Sequence, residues 1–261
     1  MSEIVHAKVV ENRQIAPDIY DLRIHTPGQA AQAVAGQFLG IYTGSAAMLL
    51  PRPLSICEID ADGGILRVIY RVVGGGTREI AGVRPGEELR VLGPLGNGYA
   101  IDNGYRNIAI VGGGLGVPPL LGLVAGIRKK VPDAKIVVYL GFRDKSAVIL
   151  EEDFGGHTDE VTICTDDGSY GFHGNAIAAM PDSSSFDAVY GCGPAPMLKA
   201  LASYSAQANL PCFVSVEEHM ACCVGTCLAC AVKVQQDDGA AVNKRACYDG
   251  PVFNAKEVVW E

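Results

Sequence analysis

The residues best equipped for chemistry lie in the last fifth of the chain. Cys222, Cys227 and Cys230 are spaced C-x4-C-x2-C, and Cys247 follows at a distance. Ligands to a 2Fe–2S rhomb must converge within a few ångströms. One tight loop that supplies three of them, with the fourth folded in from elsewhere, meets that demand, and the spacing is that of plant-type ferredoxins. Gly225 lets the loop turn with φ > 0 and brings backbone N–H groups towards sulfur. The small neighbours Ala221, Thr226 and Ala229 leave room for the inorganic core. A structural zinc site is the competing reading, but zinc usually joins two closely spaced cysteine pairs, not a triplet and a singleton. Cys223 could ligate in place of Cys222 only across an x3 gap and is read as a bystander. Cys57, Cys164, Cys192 and Cys212 are scattered singly in apolar surroundings.

A second group of residues suits phosphates and planar rings. Arg52-Pro53-Leu54-Ser55 opens an expected strand. Its guanidinium can clamp a flavin phosphate with paired hydrogen bonds, and Ser55 can aim its hydroxyl at a flavin ring edge. Pro53 is expected at an edge position, where no ladder N–H is needed. Ile69-Tyr70-Arg71 offers an aromatic ring and a second cation, although Tyr70 also suits a barrel core and Arg71 a solvated surface. Gly74-Gly75-Gly76-Thr77 precedes a short expected helix, where free amides favour a phosphate. Gly112-Gly113-Gly114-Leu115-Gly116 lies between a strand and a helix and reads as a dinucleotide-type phosphate loop. It departs from G-x-G-x-x-G because Val117-Pro118-Pro119 takes up the end, where prolines suit a first helical turn. Gly191-Cys192-Gly193-Pro194 ends another strand and admits either a planar ring or a buried structural cysteine.

The elements that must position these residues follow from the patterning. Residues 5–10, 19–25, 38–42, 54–59, 65–73 and 88–92 are alternating or β-branched runs, and Thr26-Pro27-Gly28 and Asp62-Gly63-Gly64 mark turns between them. Such spacing predicts a small antiparallel barrel over 1–103. From 104 to 216 strands alternate with helices (108–111, a helix to about 130, 135–140, 161–165, 188–191, a helix over 196–207, and 213–216 as the last strand), which predicts a parallel α/β layer. Residues 217–261 show little periodicity beyond a strand-like 257–260 and are too few to hold together by apolar burial alone, so a metal centre is the expected staple. The fold class is therefore multidomain β plus α/β: a flavin-binding barrel, a nucleotide-binding domain and a cluster segment.

Composition narrows the function. The formal charge of −8 and the absence of a basic stripe argue against nucleic acid. Arg128-Lys129-Lys130 reads as the end of a helix, where cations oppose the macrodipole. No apolar run is long enough to span a bilayer, and the start, Met1-Ser2-Glu3-Ile4-Val5-His6, lacks the features of a signal peptide, so a cytoplasmic location is expected. Nine cysteines in a reducing compartment point to metal or redox centres, not disulfides.

In this order the motifs resemble the ferredoxin–NADP reductase superfamily, which joins a flavin-binding barrel to a nucleotide-binding α/β domain. The run from Ser215 to Cys222 (S-V-E-E-H-M-A-C) and that from Lys244 to Phe253 (K-R-A-C-Y-D-G-P-V-F) are similar to the electron-transfer subunits of NAD-linked dihydroorotate dehydrogenase. The resemblance covers essentially the whole chain. It implies FAD contacts at Arg52, Pro53, Leu54, Ser55, Ile69, Tyr70, Arg71, Gly76 and Thr77, and cluster ligation by Cys222, Cys227, Cys230 and Cys247. For NAD it implies Gly112, Gly113, Gly114, Gly116, Gly191 and Cys192, with Asp166 of the run Thr165-Asp166-Asp167-Gly168-Ser169, a segment that by itself reads as a polar turn. As catalytic residues, Cys192 would lie near the hydride path and Ser55 would hydrogen-bond near the reactive flavin nitrogen. The implied partner is a catalytic FMN-containing dihydroorotate dehydrogenase subunit, two of each forming a heterotetramer. Related flavin subunits of sulfide dehydrogenase and NADH-dependent NADP reductases share the architecture but tend to carry aspartate where Cys222 stands. Arg143 would be placed to meet a 2′-phosphate or solvent, and Glu217 and Glu218 to shape the flavin edge or a partner contact.

Overall fold

A computed structural model describes residues 3–236 and 238–260. The alternating runs of the first third pair as an antiparallel barrel of β1 (Glu3–Ala16), β2 (Ile19–His25), β3 (Phe38–Tyr42), β4 (Arg52–Asp60), β5 (Ile65–Arg71) and β6 (Glu88–Leu95), in the order β1-β2-β5-β4-β3-β6. It closes because β1 is long enough to pair with β2 through its second half and with β6 through its first. Leu22, Ile24, Leu39, Ile41, Ile56, Leu66, Val68 and Tyr70 fill the interior. Closure leaves no true edge for Pro53. Instead β4 pairs with β3 from Arg52 onward but with β5 only from Ile56, so the missing N–H falls on a locally unladdered side. The short helices α1 (Pro27–Ala30) and α2 (Gly75–Ala81) cap the barrel connections.

The texture change near Tyr105 marks a second layer. Its sheet runs in the order β10-β9-β8-β7-β11-β12-β15, with β7 (Asn107–Gly113), β8 (Lys135–Phe142), β9 (Glu160–Thr165), β10 (Phe172–His173), β11 (Ala188–Cys192) and β12 (Cys212–Ser215) all parallel. Helix α3 (Pro118–Lys130) opens on Pro118 and ends on Arg128-Lys129-Lys130. The short α4 (Glu151–Gly155) and α5 (Ala195–Gln207) complete the layer. Chain order reverses between β7 and β11, where open α/β sheets bind ligands. Helix α3 also backs onto the barrel: a Cβ on Gly122 would stand 2.9 Å from the Cys57 carbonyl oxygen, so only glycine permits this approach.

Two expectations for the C-terminal stretch need correction. Residues 213–216 do not form the last strand. β15 (Val252–Asn254) returns from the 217–261 stretch and pairs antiparallel outside β12, covering an edge that would otherwise be exposed. Nor is 257–260 a strand; Val258 makes one isolated bridge to Val234. Between them β13 (Ala231–Gln235) and β14 (Ala241–Arg245) form a hairpin that the sequence reading did not include, although Asp238-Gly239 marks its turn. Val232, Val234, Phe253, Ala255 and Val258 join Val189, Val214 and Leu198 in one apolar core, so the segment is docked on the sheet as well as stapled. Among the described residues no helix is long and apolar enough to cross a membrane.

Candidate functional site

The cysteine-bearing loop leaves β12 after Val216 and runs to the start of β13. It turns by left-handed backbone at Cys223 (φ 62°), Gly225 (φ 82°) and Leu228 (φ 61°). The sulfurs stand as two pairs. Cys227 N–H donates to Cys222 Sγ at 3.4 Å, and Cys247 N–H donates to Cys230 Sγ at 3.5 Å. Burial pushes the Cys222 thiol up, but the amides of Cys227, Val224 and Thr226 and the Cys227 side chain outweigh it and bring Cys222 down to about 6, poised as a thiolate. Burial and the neighbouring Cys230 push Cys247 up to about 12. Cys223 points into the core, is 1% exposed, and is pushed up to about 12 by burial and then by the other thiols. Among the described residues no three or more His, Cys, Asp or Glu side chains gather round one point. Two separate pairs are what a two-iron rhomb takes, two thiolates per iron, so the donor set fits that cluster.

Sequence reasoning missed the residue that holds this loop to its fourth cysteine. Arg245 donates from Nε to Asp249 Oδ2 at 2.9 Å, from Nη2 to Asp249 Oδ1 at 3.2 Å and from Nη1 to the Gly225 carbonyl at 3.2 Å. Its guanidinium also lies 4.5 Å from the Tyr248 ring centroid. The run around Cys247 drew attention to its cysteine, and nothing in spacing announced the clamp. The same turn is tied to the barrel. Asn97 donates through Nδ2 to the Tyr248 and Asp249 carbonyls at 3.2 and 3.0 Å, and its N–H donates to the Gly250 carbonyl at 2.6 Å. Gln37, which precedes β3, donates to the Gly96 carbonyl at 2.8 Å, and Phe38 beside it pairs with Ser55.

On the barrel the structure brings Arg52 against Gly76: a Cβ on Gly76 would collide with the guanidinium. Arg52 also donates to the Leu50 carbonyl at 2.5 Å and to Met48 Sδ at 3.4 Å. The first bond of α2 is Arg78 N–H to the Gly74 carbonyl, so the amides of Gly75, Gly76 and Thr77 precede the ladder. A guanidinium thus stands beside a run of amides that precede the helix ladder, a donor set that fits a diphosphate. The Thr77 hydroxyl accepts from the amides of Val73 and Gly74, so it builds the turn. Tyr70 does not offer its ring: it is 2% exposed inside the barrel, stacked on Tyr20 and bonded to Asn12. Ile69 is buried against the nucleotide-binding layer, while Arg71 is exposed. Pro53 and Leu54 are half-buried, and Ser55 is open to solvent.

Arg71 leads to a cleft of about 780 Å³ between the barrel and the parallel sheet. Its walls include Asp18 and Ile19 from the barrel and Gly113, Gly114, Asp166 and Pro194 from the strand ends. Other glycines of the motif serve packing. A Cβ on Gly112 would meet Val117 at 2.8 Å, and one on Gly191 would meet Leu201 at 2.5 Å. One on Gly116 would collide with the Cys192 backbone, so Gly116 draws the two loops of the switch point together. Cys192 is 3% exposed, in register with Gly112 and Ser215, and does not line the cleft. Burial, then the charge of Glu217, push its thiol up to about 12 against a hydrogen bond with Ser215, so it stays protonated and is no nucleophile. Glu217 and Glu218 are exposed, and crowding by protein raises the Glu217 carboxyl. Arg143 lines the cleft with its Nε 2.8 Å from Asp144 Oδ2.

A family model described as the iron–sulfur cluster binding domain of dihydroorotate dehydrogenase B matches residues 217–259. A protein of Desulforamulus reducens named dihydroorotate dehydrogenase B (NAD(+)), electron transfer subunit, is 39% identical over all of this chain and all of its own length. A protein of the same name from Bacillus caldolyticus is 43% identical over 96% of each chain. Among solved structures, an NADH-dependent reduced ferredoxin-NADP oxidoreductase described for flavin-based electron bifurcation superposes with a TM-score of 0.86 at 31% identity, covering 98% of this chain and 90% of that one. The ferredoxin reductase in carbazole 1,9a-dioxygenase, at 19% identity, TM-score 0.66 and coverage of 80% of this chain and 67% of that one, shares the fold. Identity near two residues in five over at least 96% of both chains makes this chain a member of the family of electron transfer subunits of dihydroorotate dehydrogenase B (NAD(+)).

Proposed function

We propose that the chain relays electrons between a catalytic FMN-containing dihydroorotate dehydrogenase subunit, with which it forms a heterotetramer of two of each, and NAD(H), through a 2Fe–2S cluster and FAD. A flavin supplies both hydride and single-electron exchange, and a two-iron cluster supplies single electrons only, so together they convert one currency into the other.

The protein's part is holding and insulating. Arg52, with the amides of Gly75, Gly76 and Thr77, would hold the FAD diphosphate by charge-assisted bonds. Pro53, Leu54 and the backbone of Ile69, Tyr70 and Arg71 would line the flavin's path along β4 and β5, with Ser55 offering a hydroxyl near its reactive edge. Gly113, Gly114 and Asp166 would receive the nicotinamide nucleotide, while Gly112, Gly116 and Gly191 let the two switch-point loops close on Cys192. The Cys192 thiol, buried and protonated at neutral pH, would act behind the hydride path by packing the switch point as a neutral group. Cys222 with Cys227, and Cys230 with Cys247, would hold one iron each, and Arg245 would hold the loop. The observation that carries the reading is the bonding of Asn97 to the Tyr248–Gly250 turn. It seats the cysteine-bearing turn against the barrel end that carries the β3–β4 pair, so electrons need cross only a short gap.

The test is a visible and EPR spectrum of anaerobically isolated full chain, with metal and sulfide analysis. The expected result is bound flavin, about two irons and two labile sulfides per chain, and bleaching by NADH. Zinc without sulfide, or a flavin that NADH does not reduce, would overturn it.

A further inference from the structure

One buried charge in the molecule has no part in holding a cofactor. Arg67, on β5, is 5% exposed, and its guanidinium is shared among carboxylates of both domains. Nε and Nη2 donate as a fork to Asp21 Oδ1 and Oδ2 at 3.0 and 2.9 Å. Nη1 donates to Asp153 Oδ1 at 2.5 Å and to Glu58 Oε2 at 3.3 Å. Asp21 lies on β2 and is fully buried; Glu58 lies on β4; Asp153 lies on α4, across the domain boundary. Burial works against the Arg67 charge, but the hydrogen bonds to Asp21 and Asp153 more than offset it, so Arg67 stays cationic.

We propose that Arg67 is a positioning residue that ties β2 of the barrel to α4 of the nucleotide-binding domain and so sets the width of the cleft between them. Asp18 and Ile19, at the start of β2, form the barrel wall of the cleft, and Asp21 follows on the same strand. Ser146, Ala147 and Ile149 form part of the opposite wall, and α4 with Asp153 begins directly after them, past Leu150 in the left-handed conformation. Arg71, four residues and so two pleat repeats from Arg67 along β5, lines the same cleft. The far side of α4 is held to its own domain by Tyr170, whose hydroxyl donates to Glu151 at 3.0 Å. Loss of the Asp153 contact would therefore remove the directional tie and let the wall shift on its apolar packing, with each domain keeping its fold. Packing at Gly122 fixes the approach of α3 at β4, and Ile19, Cys57 and Ile69 share an apolar core with Ile149, Leu150 and Phe154; the ion network adds a directional tie to that packing at α4. A buried ion pair is weak evidence for stability, because apolar side chains would fill the space as well. What the fork adds is a fixed direction and length.

The inference rests on the reading of this cleft as the nicotinamide nucleotide site, and the experiment separates the two. Asp153 is half-exposed and touches no proposed cofactor contact, so Asp153→Asn and Asp153→Lys can be made in the full chain and assayed for NADH oxidation with an artificial acceptor. Wild-type protein that does not oxidise NADH would sink the reading of the cleft. With an active wild type, both variants should keep their FAD content and kcat while KM for NADH rises about tenfold, and more for the lysine, which faces Arg67 with a like charge. An unchanged KM in both variants, or equal losses in kcat, FAD content and thermal midpoint, would overturn the positioning role.

Discussion

Cys223 and Cys230 are both buried thiols of one loop, and the proposed ligand set gives them opposite roles. Cys230 faces Cys247, whereas Cys223 turns into the apolar core on a left-handed backbone. Cys230→Ser should therefore abolish visible cluster absorbance and labile sulfide. Cys223→Ala should keep both and lose only about 1 kcal/mol of stability from the small cavity left behind. Sulfide analysis and thermal melts of the two variants check this, and a normal sulfide content in Cys230→Ser would refute the pairing. At this scale the sequence was legible where chemistry depends on residue type and spacing, as in the cysteine motif. It was less legible where the outcome depends on direction. The Tyr70 ring points into the barrel because β-strand parity puts it beside Leu66 and Val68, and the Thr77 hydroxyl turns back to its own amides. Gly112 and Gly116 look alike in a motif, yet one packs under α3 and the other against Cys192.

At the scale of elements, the turn into α2 shows how a short helix and a strand make one site. Gly76 is helical and buried, so alanine there raises intrinsic helix propensity by about 1 kcal/mol. The same methyl group collides with the Arg52 guanidinium and must displace it. Gly76→Ala should thus hold or raise the thermal midpoint of the apoprotein while weakening FAD retention about 10- to 100-fold, the range expected for lost bonds to a charged group. Flavin titration beside apoprotein melts reads both quantities. Tight FAD binding in this variant would remove the diphosphate from the Arg52–Gly76 turn. Barrel strands and the βα alternation could be read from hydrophobic period, with boundaries short by a few residues wherever strands run on into polar sequence, as β1 does to Ala16. The β13–β14 hairpin was legible in principle and overlooked: its five-residue strands alternate, and Asp238-Gly239, with Gly239 at φ 83°, marks the turn between them.

Over the whole molecule, the segment after Glu217 is held in two ways, and the division makes a prediction. β15 is laddered onto β12, and Val232, Val234, Phe253, Ala255 and Val258 share the core of the sheet, so this part is fixed by ordinary burial and backbone bonds. The loop from Cys222 to Cys230 has left-handed turns, an exposed Val224 and Leu228, and few bonds apart from the Arg245 clamp. Short lengths of chain with so little burial are held by metal when they are held at all. Sequence patterning suggested a segment dependent on its cluster throughout, because a three-residue strand that completes another domain's edge carries no periodicity to detect. Removing iron with a chelator under reducing conditions should therefore raise hydrogen exchange in the loop and in the turn around Cys247. Protection of β12, β15 and the barrel should stay, and FAD should remain bound. Collapse of protection across β12 and β15 on iron loss would show that the cluster, and not the shared core, anchors the segment.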